Sequence, residues 1–451
     1  MNRLIFFIKF LFVFAVICNN SFATTLKDAI QMAYKNSEQV YMQMMQKDIV
    51  SIDRDTAILN LLPQVKASFT KMKKHKSNFE LGEDMQRALA GYQGAIQQTM
   101  ANNNNNNTNK ERSSKPGGQM FSVEATASLS YYKTIPAIIA NQQNVNASKY
   151  EYNEFLENFG LLFIKKYMDV IYYTKAKDVY KQMSETLEKK VKRVKIMNKY
   201  GTAKNDKVVI AEAQFYENEA NEINIKSSLD KAEMDYKIMT GSVPIDLQVP
   251  DLSNAVLPAK NKNDFVALVL SSNSKLLKTQ TQASMAKTAM AVQHLNLLPD
   301  VFATYSYNKA HTPGWMHYNY DYFGVGVSWT INDTDNRLNN ARKSYKQYRI
   351  TDLNKSLTEK EIEQDANYSW DQYQSMLELV KATQKALKAS SDSLKEIKVS
   401  VATGTATFID EMDIETQYLN ANLNYLNAQR ALILAYYKLI SMTGVGYLSM
   451  D

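Results

Sequence analysis

The sequence predicts a mostly helical chain carrying a small membrane β portion, arranged as two copies of one helix–strand–strand–helix plan. Three observations lead there: an ordered internal repeat, four segments of period-2 alternation, and two helical stretches longer than a compact domain can hold.

The repeat shows in matched anchors. Leu61-Leu62-Pro63-Gln64-Val65 returns as Leu297-Leu298-Pro299-Asp300-Val301, and each copy follows a helix-like stretch with an Asn-Ser pair, Asn36-Ser37 and Asn273-Ser274. Gly201-Thr202-Ala203 returns as Gly404-Thr405-Ala406, and Met239-Thr240-Gly241 as Met442-Thr443-Gly444. Gly201 and Gly241 are 40 positions apart, as are Gly404 and Gly444. Several anchors in one order at one spacing signal duplication, which divides the chain into a first repeat over 24–250 and a second over 251–451.

Residues 1–23 read as an export signal: Arg3 and Lys9 at a basic end, an apolar run from Leu4 to Ile17, and small residues at Ser21 and Ala23. Beyond Thr24 no stretch approaches the roughly 20 apolar residues of a spanning helix, so membrane insertion would have to use β-strands. The only cysteine, Cys18, lies inside the signal, which leaves a thiol-free chain stabilised by packing and assembly. The formal charge of +7 becomes +5 without Arg3 and Lys9, and the remaining excess is spread along helical segments, which excludes a nucleic-acid footprint.

Strands are expected at about 63–72, 120–132, 299–308 and 320–331. From Phe121 to Tyr131 apolar residues hold every second position against Ser122, Glu124, Thr126, Ser128 and Ser130; Phe323, Val325, Val327, Trp329 and Ile331 repeat the pattern. Each segment has about the 9 to 11 residues that a tilted membrane strand needs. Tyr131, Tyr132, Tyr320, Tyr322 and Trp329 are candidate girdle aromatics at the membrane boundary. Lys71 shares parity with Val65, Ala67 and Phe69, so it must lie beyond the apolar band. The first hairpin tip is a long segment, Gly82 to Gly118, with an Asn102–Asn107 run expected to be a mobile extracellular loop; the second, about Lys309 to Asn319, is short.

Long helices are expected at about 137–200 and 334–403, each followed by another, at about 205–240 and 405–443. At 1.5 Å per residue the first of each pair reaches roughly 95 and 105 Å. Met376, Val380, Thr383, Leu387, Ser390, Leu394, Ile397 and Val401 form a 4-3-4-3 seam suited to helix-on-helix supercoiling. Four strands per chain cannot close a barrel, so the barrel must be shared, by two chains with eight strands or three with twelve.

Export signal, duplicated halves, the LLPxV anchors and the Gly-Thr turns together resemble the TolC family of outer-membrane efflux and type I secretion proteins, over essentially the whole chain beyond the signal. The resemblance implies a homotrimer in the outer membrane of a Gram-negative cell, a twelve-stranded β-barrel continued by a periplasmic α-helical barrel. It implies a passive exit duct that is not an enzyme and needs no cofactor or metal, with a periplasmic adaptor and an inner-membrane ABC or proton-driven pump as partners. Gly201, Thr202, Gly404 and Thr405 then become the helix-turn tips where the tunnel narrows. Asp410 and Asp413, three apart on one helix face, match an acidic pair lining the entrance, and threefold symmetry would stack two rings of three carboxylates that favour cations. Without the resemblance, first-turn acids simply suit a helix N-terminus. Ala406 and Val401 stand where the family places a basic residue and a tyrosine; Asp206 and Lys207 are the substitute gate contacts, with Lys207 facing Asp410.

The sequence carries no phosphate-binding or dinucleotide motif, and His75, His294, His311 and His317 make a poor metal set. Asn332 to Asn336 lacks EF-hand spacing and reads as a helix cap. The rival reading is an exported coiled-coil structural or adhesive stalk.

Overall fold

A computed structural model describes residues 25–72, 118–252, 256–312, 316–329, 334–444 and 447. The signal at 1–23, His75, the asparagine-rich loop up to Gly117, and Asn332-Asp333 lie outside the described residues.

The elements run α1 (Leu26–Asn36), α2 (Glu38–Leu59), β1 (Gln64–Met72), β2 (Gly118–Ser128), α3 (Tyr131–Lys199), α4 (Asn205–Thr240), then α5 (Lys262–Ser272), α6 (Ser274–Leu295), β3 (Asp300–Thr312), β4 (Met316–Ser328), α7 (Thr334–Ala402) and α8 (Phe408–Met442). The order helix, helix, strand, strand, very long helix, helix occurs twice, and α3 and α7 each hold 69 residues. The chain divides into two units: a helical one from Met1–Arg54, Ile139–Met290 and Lys343–Asp451, and one containing the sheet, from Asp55–Ile138 and Ala291–Arg342.

In the helical unit, the opening helix of each half is broken in two at its Asn-Ser pair, because the asparagine is used elsewhere. Asn36 Nδ2 donates to the carbonyl of Thr240 at 2.7 Å, and Asn273 Nδ2 to that of Met442 at 3.0 Å; each is the last residue of a long helix. A terminal carbonyl without an intrahelical partner is thereby satisfied. The main core lies alongside these caps. Phe163 and Tyr167 of α3 pack on Tyr236 of α4, with Ile30 and Ala33 of α1, and Phe265 of α5 stacks near Trp370 of α7 at 5.4 Å between ring centres. The α7 seam residues Val380, Thr383, Leu387, Ser390, Leu394 and Ile397 are half-buried among exposed neighbours, a narrow contact stripe.

The other unit is one antiparallel sheet in the order β1-β2-β3-β4. Register brings Val65, Ala125, Tyr305 and Phe323 into one row and Ala67, Val123 and Tyr307 into the next, with Ala127, Ala303 and Val325 on the other side. These rows share one face, because side chains of equal parity project together. That face is open, Phe323 being 72% and Val327 67% exposed. The opposite face is polar: Lys66 lies across from Glu124, and Ser68 Oγ meets Ser122 Oγ at 2.7 Å. Lys71 pairs in register with Gln119, a polar pair at the end of the apolar face.

Both LLP anchors do the same work. Leu61 and Leu62 N–H groups reach back three residues to Ile58 and Leu59, as Leu297 and Leu298 do to His294 and Leu295, tightening the helix end before proline releases the chain into a strand. Residues 129–133 then clasp the second anchor: Val301 N–H donates to Ser130 Oγ at 2.8 Å, Tyr132 OH to the Pro299 carbonyl, and Lys133 pairs with Asp300 at 2.6 Å.

This clasp corrects the expected end of β2. The strand stops at Ser128 rather than 132, and Tyr131 and Tyr132 open α3. Likewise β4 runs from Met316 to Ser328, not 320 to 331, since ladder pairing continues to Thr312 opposite Met316. The girdle expectation fails for four aromatics: Tyr131 and Tyr132 are helical, and Tyr320 and Tyr322 stack at 6.4 Å on the polar face, opposite in parity to Phe323.

Candidate functional site

The α3–α4 and α7–α8 turns, both in the helical unit, are built alike. Gly201 (φ 75°) and Gly404 (φ 77°) take the left-handed conformation that ends a helix cheaply only with glycine. In the first, the Thr202 N–H donates to the Met197 carbonyl at 2.9 Å and Thr202 Oγ1 to the same oxygen at 2.8 Å. In the second, Thr405 N–H and Oγ1 reach the Ser400 carbonyl at 2.9 and 3.1 Å. This six-to-one bond closes a Schellman motif, so Gly-Thr at each tip is a helix stop with a hydroxyl as second donor.

The helices that leave the turns start differently. Lys204 precedes α4 with no side-chain cap, and Asp206 Oδ1 accepts from the Lys207 N–H at 2.9 Å. Thr407 precedes α8 in a capping box: Asp410 Oδ2 accepts from Thr407 N–H at 2.8 Å and from Thr407 Oγ1 at 2.6 Å, and Asp410 N–H donates back at 3.3 Å. That box starts α8 at Phe408 rather than 405. Hydrogen bonds from the Thr407 side chain and backbone hold the Asp410 carboxyl below the usual carboxylate range, and the charge of Lys207 lowers it further. Lys207 therefore acts on Asp410 across the two tips as a field rather than a contact ion pair. The repeat puts them at equivalent positions, six residues after Gly201 and Gly404, so the two tips carry opposite charges at one place.

The first turns of α8 sort four acids onto two faces. Asp410 and Asp413 are exposed. Glu411 and Glu415, one turn apart, face inward and pair with Lys190 of α3, which is buried and also lies 5.3 Å from the centre of the Phe408 ring. Met412, Leu187, Val191, Val194 and Ala211 pack around this cluster. Sequence reasoning missed it: Lys190 lies 225 positions from Glu415, and the only local signal was the i, i+4 spacing of the glutamates. Lys190 thus pairs with the inward-facing acids, and the exposed aspartates stand outside the cluster. Among the described residues no group of three or more His, Cys, Asp or Glu is placed to hold a metal, and no helix is long and apolar enough to cross a membrane.

Residues 266–445 match the family model of the outer membrane efflux protein. The fold matches the outer membrane channel CmeC of Campylobacter jejuni with a TM-score of 0.77, at 13% identity over 94% of this chain and 87% of that one. It matches the open state of the outer membrane channel MtrE of Neisseria gonorrhoeae at 0.74, with 14% identity over 94% and 90%. VceC, an outer membrane protein of Vibrio cholerae, matches at 0.70, with 14% identity over 94% and 96%. No curated sequence matches significantly. The second half of the chain thus carries an outer membrane efflux protein domain, and the fold over 94% of the chain is that of solved outer-membrane channels.

Proposed function

We propose that three copies close one duct, each giving four strands to a twelve-stranded barrel, and that the helix turns converge as its periplasmic entrance with Asp410 and Asp413 lining the constriction. The observation that carries this is the sheet. β1 and β4 are its outer strands, and its apolar face is open. Membrane strands must satisfy every backbone group, and four strands cannot do so alone. A coiled-coil stalk gives no account of such a sheet. An adaptor protein and an inner-membrane ABC or proton-driven pump would deliver drugs, peptides or proteins to the tips.

The test is planar-bilayer conductance of the detergent-purified protein, with cross-linking to count protomers. Small cation-selective pores formed by a trimer are expected; a soluble protein that forms no pore overturns the reading. Within it, Asp410→Ala with Asp413→Ala should reduce cation preference, because both carboxylates are exposed and neither joins the buried cluster. Unchanged selectivity would remove them from the entrance. Lys207→Glu replaces attraction to Asp410 by repulsion, so resting conductance should rise, and an unaltered closed level would count against Lys207 as a gate contact.

A further inference from the structure

Away from the tips, the helical unit holds a cavity of ≈ 580 Å³ lined by Tyr34, Tyr41, Met44, Tyr152, Glu157 and Tyr447. Its size and its aromatic wall with few polar groups are those of a small-molecule site. One lining group is out of place in such a wall. Glu157 is 8% exposed, and its carboxylate accepts a hydrogen bond through one oxygen, Oε1, from Ser274 Oγ at 2.6 Å. The nearby tyrosine hydroxyls are committed elsewhere, Tyr34 to the Leu156 carbonyl at 2.9 Å and Tyr447 to the Glu157 carbonyl at 3.2 Å, so neither donates to the carboxylate. Gly160 is what lets them close in: a Cβ there would lie under 3.0 Å from both Tyr447 and Tyr34. At the edge, Lys47 Nζ sits 4.7 Å from the centre of the Tyr152 ring, so an ammonium already occupies an aromatic face of this wall.

We propose that this cavity is a binding site for a small organic monocation, whose charge pairs with Glu157 and whose apolar body lies against the tyrosine rings. A carboxylate with one oxygen engaged, in a cavity lined by tyrosines, complements a desolvated ammonium and repels an anion. Burial raises the Glu157 carboxyl to about 7, against the Ser274 bond that lowers it and with Glu154 raising it further. Other charges around Glu157 are Lys35, exposed at the rim, and Lys278 of α6, which pairs with Glu154. A cation that requires the ionised form therefore binds tightly above about pH 7 and progressively less below it.

The test is titration of the purified full-length protein with benzyltrimethylammonium, read by calorimetry and ligand-observed NMR, with benzylsulfonate as the anion of like shape. Saturable binding of the cation alone is expected, weakened by about tenfold or more in Glu157→Gln and by about tenfold per pH unit below the carboxyl's midpoint. Asp410→Ala with Asp413→Ala should leave it unchanged, which separates this site from the entrance acids. Glu157→Gln removes charge from a buried group and should preserve the fold, checked by an unaltered denaturation midpoint. Absence of saturable binding, equal binding of the sulfonate, or full binding by Glu157→Gln would each overturn the proposal.

Discussion

Lys190→Ala is expected to lower the stability of the helical unit by about 3 to 5 kcal/mol, the usual consequence of removing one member of a buried ion cluster. Lys190 is the cation that joins Glu411 and Glu415, and side-chain exposure is 9% for the lysine, 12% for Glu411 and 4% for Glu415. Without it two carboxylates one helical turn apart face each other among Leu187, Val191 and Met412. The measurement is the denaturation midpoint of the purified protein, with Lys192→Ala as the comparison. Lys192 lies two residues away and pairs with Glu188, but both are exposed, 69% and 54%, so its loss should leave the midpoint nearly unchanged. A triple variant, Lys190→Met with Glu411→Gln and Glu415→Leu, should recover most of the loss, since the penalty comes from uncompensated charge rather than from the missing bond. Equal midpoints for Lys190→Ala and Lys192→Ala would show that the cluster carries no structural weight. The consequence reaches the exposed aspartates, because the turn that Lys190 holds down is the one that presents Asp410 and Asp413.

What was legible in the sequence follows from how far each cause acts along the chain. The Gly-Thr tips could be read because a Schellman stop is local: a glycine at positive φ and a donor one residue later, bonded to a carbonyl five residues back. The alternation of β2 was readable for the same reason, and it placed Phe121, Val123, Ala125 and Ala127 on one face. The same parity count, carried from Phe323 back to Tyr322 and Tyr320, would have removed those tyrosines from the girdle. Strand ends were misread where a distant partner decides them: β2 stops where Ser130 bonds the backbone of Val301, 171 positions away. The Asn-Ser and Met-Thr-Gly anchors were visible as repeats, but not that each pair is one contact. Asn36 meets Thr240 across 204 positions and Asn273 meets Met442 across 169. Lys190 was hidden among the many lysines of α3, because burial, not residue type, sets it apart.

Those asparagine caps lead to a difference between glycines that duplication alone would make equal. Gly444→Ala is expected to cost about 2 to 5 kcal/mol, combining about 1 to 2 for a Cβ in left-handed backbone with about 1 to 3 for overpacking. Gly241→Ala should cost only the first of these, about 1 to 2 kcal/mol. Both glycines have positive φ, 74° at Gly241 and 71° at Gly444. Around Gly241 an added Cβ would meet Asn36 Nδ2 at 3.7 Å, ordinary contact with a side chain able to adjust. At Gly444 it would lie under 3.0 Å from the Ser272 carbonyl oxygen, a backbone atom at the end of α5. That carbonyl has little room to retreat. The next residue, Asn273, holds the end of α8 through Nδ2 and accepts the Leu276 N–H through Oδ1 at 3.2 Å. The asymmetry arises from where the helices stop. α4 ends at Thr240 with Gly241 as its cap, whereas α8 ends at Met442 with Thr443 as its cap, and so Gly444 lies one residue farther out, against α5. Denaturation midpoints of the two single variants decide the matter: a clearly larger fall for Gly444→Ala supports this packing, and equal falls would mean that backbone conformation alone sets both costs.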